Sequence, residues 1–186
     1  MKRILVGISG ASGAPIAIKL LEMLKQNENV ETHLVMTYGA ELTIAQETTY
    51  SVEEVKALAD KCYDISAIGD KLASGSYAID SMIVVPCSMK TVAGIASGYS
   101  DNLLLRACDV TMKEGRKLIL VARETPLSSI HIRNLHELSK MGVRIVPPMV
   151  SFYQGYTTIE QWTNQFVERL LRMLDVENEV HEWQGM

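Results

Sequence analysis

The sequence predicts one α/β domain: a doubly wound, mainly parallel sheet with helices on both faces. Three observations lead there. Short runs that are apolar throughout alternate with stretches whose apolar residues recur at helical spacing. The first run ends in a turn of small residues before an amphipathic helix, as a parallel βα unit does. No linker or repeat interrupts the 186 residues, so 1–186 reads as a single domain. Strands without a polar side belong to a sheet covered on both faces.

Residues 3–8 (RILVGI) read as the first strand and 9–13 as the turn. Ala14–Lys25 follows as a helix, with Ile16, Ala17, Leu20, Leu21, Met23 and Leu24 as its apolar positions. The second strand is 32–36. A capping box at 51–54 (SVEE) opens a helix to about residue 59. Strand 80–86 is followed by helices at 89–96 and 103–114, then by strand Lys117–Ala122. Residues 128–140 read as helix and 143–146 as a fifth strand, stopped by Pro147 and Pro148. A capping box at 157–160 (TTIE) opens a last helix to about residue 174.

Composition narrows the function classes. Apolar residues make up 47% and charged ones 22%, which excludes disordered and low-complexity chains. Eighteen basic and 22 acidic residues give a net charge of −4, so no nucleic-acid footprint is expected, only room for a local cationic pocket. Cys62, Cys87 and Cys108 form no C-x-x-C and cannot all pair, which suits a reducing, cytoplasmic setting. His33, His131, His136 and His181 lack zinc-site spacing, and no metal is expected. The apolar stretch in MKRILVGISG is too short for a signal peptide, and nothing approaches the ~20 apolar residues of a membrane span.

In such sheets ligands sit beyond the carboxyl ends of the strands, which directs attention to 9–13, Thr37, 87–91, 123–124 and 147–156. The first is part of GISGASG (7–13), with Ser9 where a dinucleotide fingerprint has its second glycine. Small residues let backbone N–H groups approach an anion or a flat ring, and they equally make a tight turn. In PCSMKT (86–91) Ser88 suits a helix N-cap, while the amides, hydroxyls and ammonium there also suit a phosphate or a flavin carbonyl edge. Cys87 reads as a small buried hydrophobe. Arg123 and Glu124 follow an apolar strand, and burying that pair is costly unless it is paired or ligand-bound. Arginine suits phosphate and glutamate proton transfer, the other reading being a surface turn in which Pro126 and Ser128 lead into a helix. FYQGY (152–156) is aromatic-rich in a chain only 6% aromatic. Arg169 and Arg172 fit a solvated helix face, and Trp183 an interface or packing anchor.

Together, GISGASG (7–13), PCSMKT (86–91), DNLLLRACDVTMKEGRKLILVARETPLSSIH (101–131) and PPMVSFYQGYTTIEQ (147–161) resemble the UbiX-like flavin prenyltransferases. The likeness is to the B-subunit type of bacterial phenolic and aromatic acid decarboxylase systems. It implies a Rossmann-like flavoprotein fold that binds FMN. It also implies transfer of a dimethylallyl group from dimethylallyl phosphate to N5 and C6 of reduced FMN. The prenylated FMN then passes to a UbiD-type decarboxylase. A homo-oligomer is implied, a dodecamer, with the tail 175–186 contacting a neighbouring subunit.

Carried over by position, Gly10, Ala11 and Ser12 match the first FMN loop, Thr37 a flavin-side hydroxyl, Ser88, Met89, Lys90 and Thr91 the second loop, and Arg123 a further FMN contact. Lys113, Arg123, Tyr153, Arg169 and Trp183 match the substrate ligands. Glu47 and Glu124, with Ser12 and Lys113, make up the catalytic group. Breaking an allylic C–O bond leaves a cation and a phosphate dianion; Lys113, Arg123, Tyr153 and Arg169 suit the anion, and the flavin face with Trp183 suits the cation. Glu124 or the departed phosphate takes the C6 proton. No D-D-x-x-D pattern is present to hold magnesium, in keeping with a metal-independent monophosphate donor. The chain departs from the pattern at HEWQG, which lacks an arginine before the tryptophan, at Gly115 in KEGR, and at Thr37 in place of serine.

Two other readings remain at this point. An FMN-dependent decarboxylase of the peptidyl-cysteine type shares the fold but needs a histidine after the second strand and a P-A-S-A-N-T motif. Here no histidine occurs between His33 and His131, and 86–91 read PCSMKT. The second is a non-catalytic, flavin-carrying subunit of a decarboxylase.

Overall fold

A computed structural model describes residues 1–177; Trp183 and the remainder of 178–186 lie outside the described residues. Six strands, β1 (Lys2–Ile8), β2 (Val30–Met36), β3 (Lys61–Tyr63), β4 (Ser81–Cys87), β5 (Lys117–Ala122) and β6 (Arg144–Ile145), form one sheet in the order β3-β2-β1-β4-β5-β6. Every pairing is parallel. The helices are α1 (Ala14–Lys25), α2 (Tyr38–Glu47), α3 (Val52–Lys56), α4 (Met89–Ser97), α5 (Leu103–Lys113), α6 (Ser129–Lys140) and α7 (Ile159–Met173).

Alternation along the strands divides the apolar residues between two cores. Ile4, Val6 and Ile8 of β1 and Ile83 and Val85 of β4 pack with α1, α2 and α7. Leu5, Met82 and Val84 point the other way, toward α4 and α5. Both faces are therefore covered, as the uniformly apolar strands require. The chain leaves β1 toward β2 and β3, then returns to lay β4 on the opposite side of β1. That reversal opens a crevice at the carboxyl ends of β1 and β4, where such sheets hold ligands.

Several elements differ from the sequence expectation. The sheet has six strands, not five, because the three-residue edge strand β3 reads KCY and carries no apolar run. Helix α2 was not expected; it buries only Ala40 and Ile44 while Tyr38 and Leu42 face outward, so its apolar pattern is blurred. The Ser51–Glu54 capping box forms, but α3 reaches its C-cap at Ala57. The last capping box is one residue later than read, between Thr158 and Gln161, and Gln161 Oε1 also accepts from the Thr157 amide at 2.9 Å. Pro86 lies inside β4 between two partners, and the β4–β5 register shifts between Val84 and Cys87, next to the residue that lacks an N–H.

The start of the expected tail is bound to its own chain. Lys117 Nζ reaches Asp175 Oδ2 at 2.5 Å, Lys2 Nζ donates to the Leu174 carbonyl at 2.6 Å, and Val176 is buried. Residues 175 and 176 thus pack on the body of their own chain.

Candidate active site

The loops after β1 and β4 are joined by one buried hydroxyl. Ser9 Oγ donates to the Pro86 carbonyl at 3.1 Å and accepts from the Ser88 amide at 2.8 Å. Ser88 then caps α4 through the Thr91 amide, with the two hydroxyls 3.1 Å apart. Met89 and Thr91 are buried, so this loop offers the crevice its half-buried Ser88 hydroxyl, the exposed Lys90 and the backbone of the first α4 turn.

On the β2 side, Thr37 caps α2 by accepting from the Ala40 amide at 3.2 Å. Gly10 is pressed against Gly39: a Cβ on Gly10 would lie 3.0 Å from the Gly39 Cα. No side chain fits between the first loop and the start of α2, which leaves a cradle walled by backbone. Gly10 and Ser12 are exposed at its rim.

Glu47, the last residue of α2, reaches across to the start of α1. Its Oε2 accepts from the Gly13 amide at 2.8 Å and the Ala14 amide at 2.9 Å, and the Ser12 hydroxyl donates to the same carboxylate. Burial pushes this carboxyl up, but those three bonds and the Arg123 charge outweigh it and hold it below the ordinary carboxylate range.

Arg123 is tied to the site through its backbone, the amide donating to the Cys87 carbonyl at 3.1 Å. Its side chain and that of Glu124 are exposed beyond the carboxyl end of β5, where the apolar run ends at Ala122. Glu124 Oε1 accepts from the Thr125 amide at 3.0 Å.

The structure brings Tyr153 and Arg169 to one cleft. They line a cleft of about 780 Å³ between β6, the 146–156 loop and α7, with Arg172, Tyr156 and Trp162. Burial pushes the Tyr156 phenol up, with Tyr153 and Glu168 adding to it. Lys113 is not brought to this site within one chain. It ends α5, which runs back toward the start of β5, and its Nζ bonds Glu114 Oε1 at 2.6 Å at the amino edge of the sheet. The buried loop clamp by Ser9, the Gly10–Gly39 contact and the capping of α1 by Glu47 were not foreseen. The only sequence signal was a serine in a glycine's place in GISG and a glycine soon after the second strand.

The fit to a flavin nucleotide can be judged from these groups. The amino ends of α2 and α4 open on the cradle, offering hydroxyls and the first-turn amides that helices leave for capping groups or ligands. The backbone walls at Gly10 and Gly39 admit a flat ring at close approach. The residues present therefore fit FMN. Among the described residues no His, Cys, Asp and Glu group has the arrangement to hold a metal.

Comparison with known proteins agrees with this fit. The family model described as Flavoprotein matches residues 1–172. The flavin prenyltransferase LpdB of Lactiplantibacillus plantarum is 49% identical over the full length of both chains. A dodecameric FMN-dependent Ubix-like decarboxylase from Escherichia coli O157:H7 superposes with a TM-score of 0.96 at 48% identity, covering 98% of this chain and 100% of that one. AnUbiX (PadA1), solved in complex with FMN and dimethylallyl pyrophosphate, gives 0.93 at 46% identity, covering 98% and 99%. Fold and crevice thus define an FMN-binding flavoprotein. Within that class the chain belongs to the UbiX-like flavin prenyltransferases, and it is a transferase.

Proposed function

We propose that residues 1–186 act as one FMN-binding domain that transfers a dimethylallyl group from dimethylallyl phosphate to N5 and C6 of reduced FMN, for use by a UbiD-type aromatic acid decarboxylase. The observation that carries this reading is the pairing of the backbone-walled cradle at β1 and β4 with the Tyr153–Arg169 cleft. Gly10, Ala11, Ser12, Thr37, Ser88, Lys90 and Arg123 hold the flavin, while the buried Met89 and Thr91 contribute through their backbone. When bound, reduced FMN supplies two electron-rich centres, N5 and C6.

Tyr153, Arg169 and Arg123 stabilise the phosphate as it departs, charge placed in advance being the strongest lever a site has. Lys113 serves from a neighbouring copy, since its own chain holds it at the amino edge. A homo-oligomer, as in the dodecameric relative, supplies that copy. Phe152, Ile130, Ile132 and Ile159 are exposed apolar residues suited to the contact. Ser12 and Glu47 hold the loop beside the reacting atoms, and Glu124 or the freed phosphate takes the C6 proton. Trp183 is assigned to the prenyl pocket, without metal. The free cysteines suit a reducing cytoplasm, and no helix among the described residues is long and apolar enough to cross a membrane.

A decarboxylase of the peptidyl-cysteine type lacks its histidine here: His33 is fully buried within β2, stacked on Tyr63. Flavin recovered from an anaerobic mixture of this protein, reduced FMN and dimethylallyl phosphate is offered to a UbiD-type apo-decarboxylase. We expect decarboxylation to appear only with flavin from the complete mixture. Release of carbon dioxide from an aromatic acid by this chain alone would overturn the reading.

A further inference from the structure

Helix α5 ends on a motif that fixes the backbone of Lys113. The Gly115 amide donates to the Met112 carbonyl at 3.0 Å, and the Arg116 amide to the Thr111 carbonyl at 2.9 Å. With Gly115 at φ 64°, this is the paired ending in which a left-handed glycine closes a helix. The departure at Gly115 in KEGR thus has a backbone role, since glycine enters that region without the strain another residue meets.

The next residue grips the loop that leads into β4. Arg116 Nη2 donates to the Gly75 carbonyl at 2.6 Å, and its Nη1 to the Tyr77 carbonyl at 3.1 Å. Gly75 is thereby held against the end of α5, where a Cβ would overlap the Glu114 carboxylate and lie 3.0 Å from Lys113 Nζ. The notch left by that missing Cβ seats the carboxylate, which accepts from Lys113 Nζ at 2.6 Å. The Lys113 ammonium in turn holds the Glu114 carboxyl below the ordinary carboxylate range. An exposed ion pair is ordinarily a weak contact, but here one partner rests against backbone that Arg116 anchors.

We infer that Glu114, seated in the notch at Gly75, is a positioning residue for Lys113, holding its ammonium in place before a prenyl phosphate arrives. The inference rests on the reading that Lys113 binds that phosphate in a neighbouring copy, and it adds the brace that aims it. A lysine loses rotamer freedom when it fixes on a phosphate, and one already held loses less. The effect therefore falls on affinity for the prenyl phosphate. FMN affinity is spared, because the flavin crevice lies at the carboxyl edge of the same sheet and the brace at the amino edge.

The test uses the full-length protein with reduced FMN, following single-turnover prenylation against dimethylallyl phosphate concentration. In Glu114→Ala the half-saturating concentration is expected to rise about three- to tenfold, with FMN affinity and oligomer size as in wild type. Glu114→Gln keeps an uncharged acceptor in the notch, and a smaller rise is expected. Gly75→Ala keeps both charges and needs no left-handed backbone, but its methyl takes the place of the carboxylate, so the same rise is expected. Should Glu114→Ala fail to fold or assemble, Gly75→Ala carries the test alone. In a Lys113→Ala background neither substitution is expected to change saturation further, because the group they position is gone; a purely structural role would persist there. Folded Glu114→Ala and Gly75→Ala that saturate within about 1.5-fold of wild type, or losses that add to that of Lys113→Ala, overturn the inference. If Lys113→Ala itself saturates as wild type does, the reading of Lys113 as a phosphate ligand falls, and the inference with it.

Discussion

The Ser9 hydroxyl accepts a hydrogen bond from the Ser88 amide at 2.8 Å, joining two loops that are 79 residues apart in sequence. The same hydroxyl donates to the Pro86 carbonyl, so both of its bonding roles are spent on holding the β1 and β4 loops together. Ser9→Ala leaves that amide and carbonyl without their hydroxyl partner. A cost of about 1–3 kcal/mol is expected, together with weaker FMN binding. Urea unfolding and flavin titration check this, and a variant matching wild type in both would refute the clamp.

The Gly10–Gly39 contact makes a second prediction. A methyl at residue 10 would sit 3.0 Å from the Gly39 Cα and carbonyl carbon, and backbone on the α2 cap cannot swing aside as a side-chain tip can. Gly10→Ala is expected to cost about 1–3 kcal/mol by overpacking and to lower FMN affinity. Retention of flavin through gel filtration at wild-type level would contradict it.

Acid stability depends on a cluster the reaction does not use. His33 is fully buried; burial first, then the charges of Lys61, Arg3 and Lys71, push it down to about 4 against the pull of Glu31. Glu31 Oε1 is 3.2 Å from His33 Nε2 but out of line for a hydrogen bond, so the contact is electrostatic. Because the folded value lies below the ordinary 6.5, the unfolded chain takes up the proton first, and stability falls as pH drops from about 6.5 toward 4. Glu31 is held down to about 2, chiefly by its bond from Lys61, and its contribution is lost below 4.5. Urea midpoints should therefore decline from pH 6.5 and more steeply below 4.5, with the first part removed in His33→Gln. A flat wild-type midpoint between those values would rule this out.

Glu124 is exposed at the rim of the crevice, one residue beyond Arg123, and its Oε1 accepts from the adjacent Thr125 amide. Glu124→Gln should keep FMN and slow prenylation by ~10²–10⁴-fold if it takes the C6 proton. Unchanged single-turnover rates at saturating donor would assign the proton to the freed phosphate.

What could be read from the sequence followed the apolar pattern. Strands β1, β4 and β5 and helices α1, α4 and α5 are apolar enough on the correct faces to be seen unaided. β3 escaped because an edge strand needs no apolar run, and α2 because Tyr38 and Leu42 face outward. The loops after β1 and β4 were legible as small and hydroxyl residues after strands. How they are joined was not, since Ser9–Ser88 and Gly13–Glu47 are tertiary contacts with no local signature. Lys113 matched a family position, but only the direction of α5 reveals that it lies at the amino edge of the sheet, away from the crevice of its own chain.

Whether this chain alone joins an isoprenyl unit to FMN is read directly from the mass of the flavin. Protein, reduced FMN and dimethylallyl phosphate are combined without oxygen, and the flavin is extracted and analysed. The predicted product is FMN heavier by one dimethylallyl unit and carrying a fourth ring through N5 and C6. Unmodified FMN from folded, flavin-bound protein, with dimethylallyl phosphate and dimethylallyl pyrophosphate alike, would contradict it.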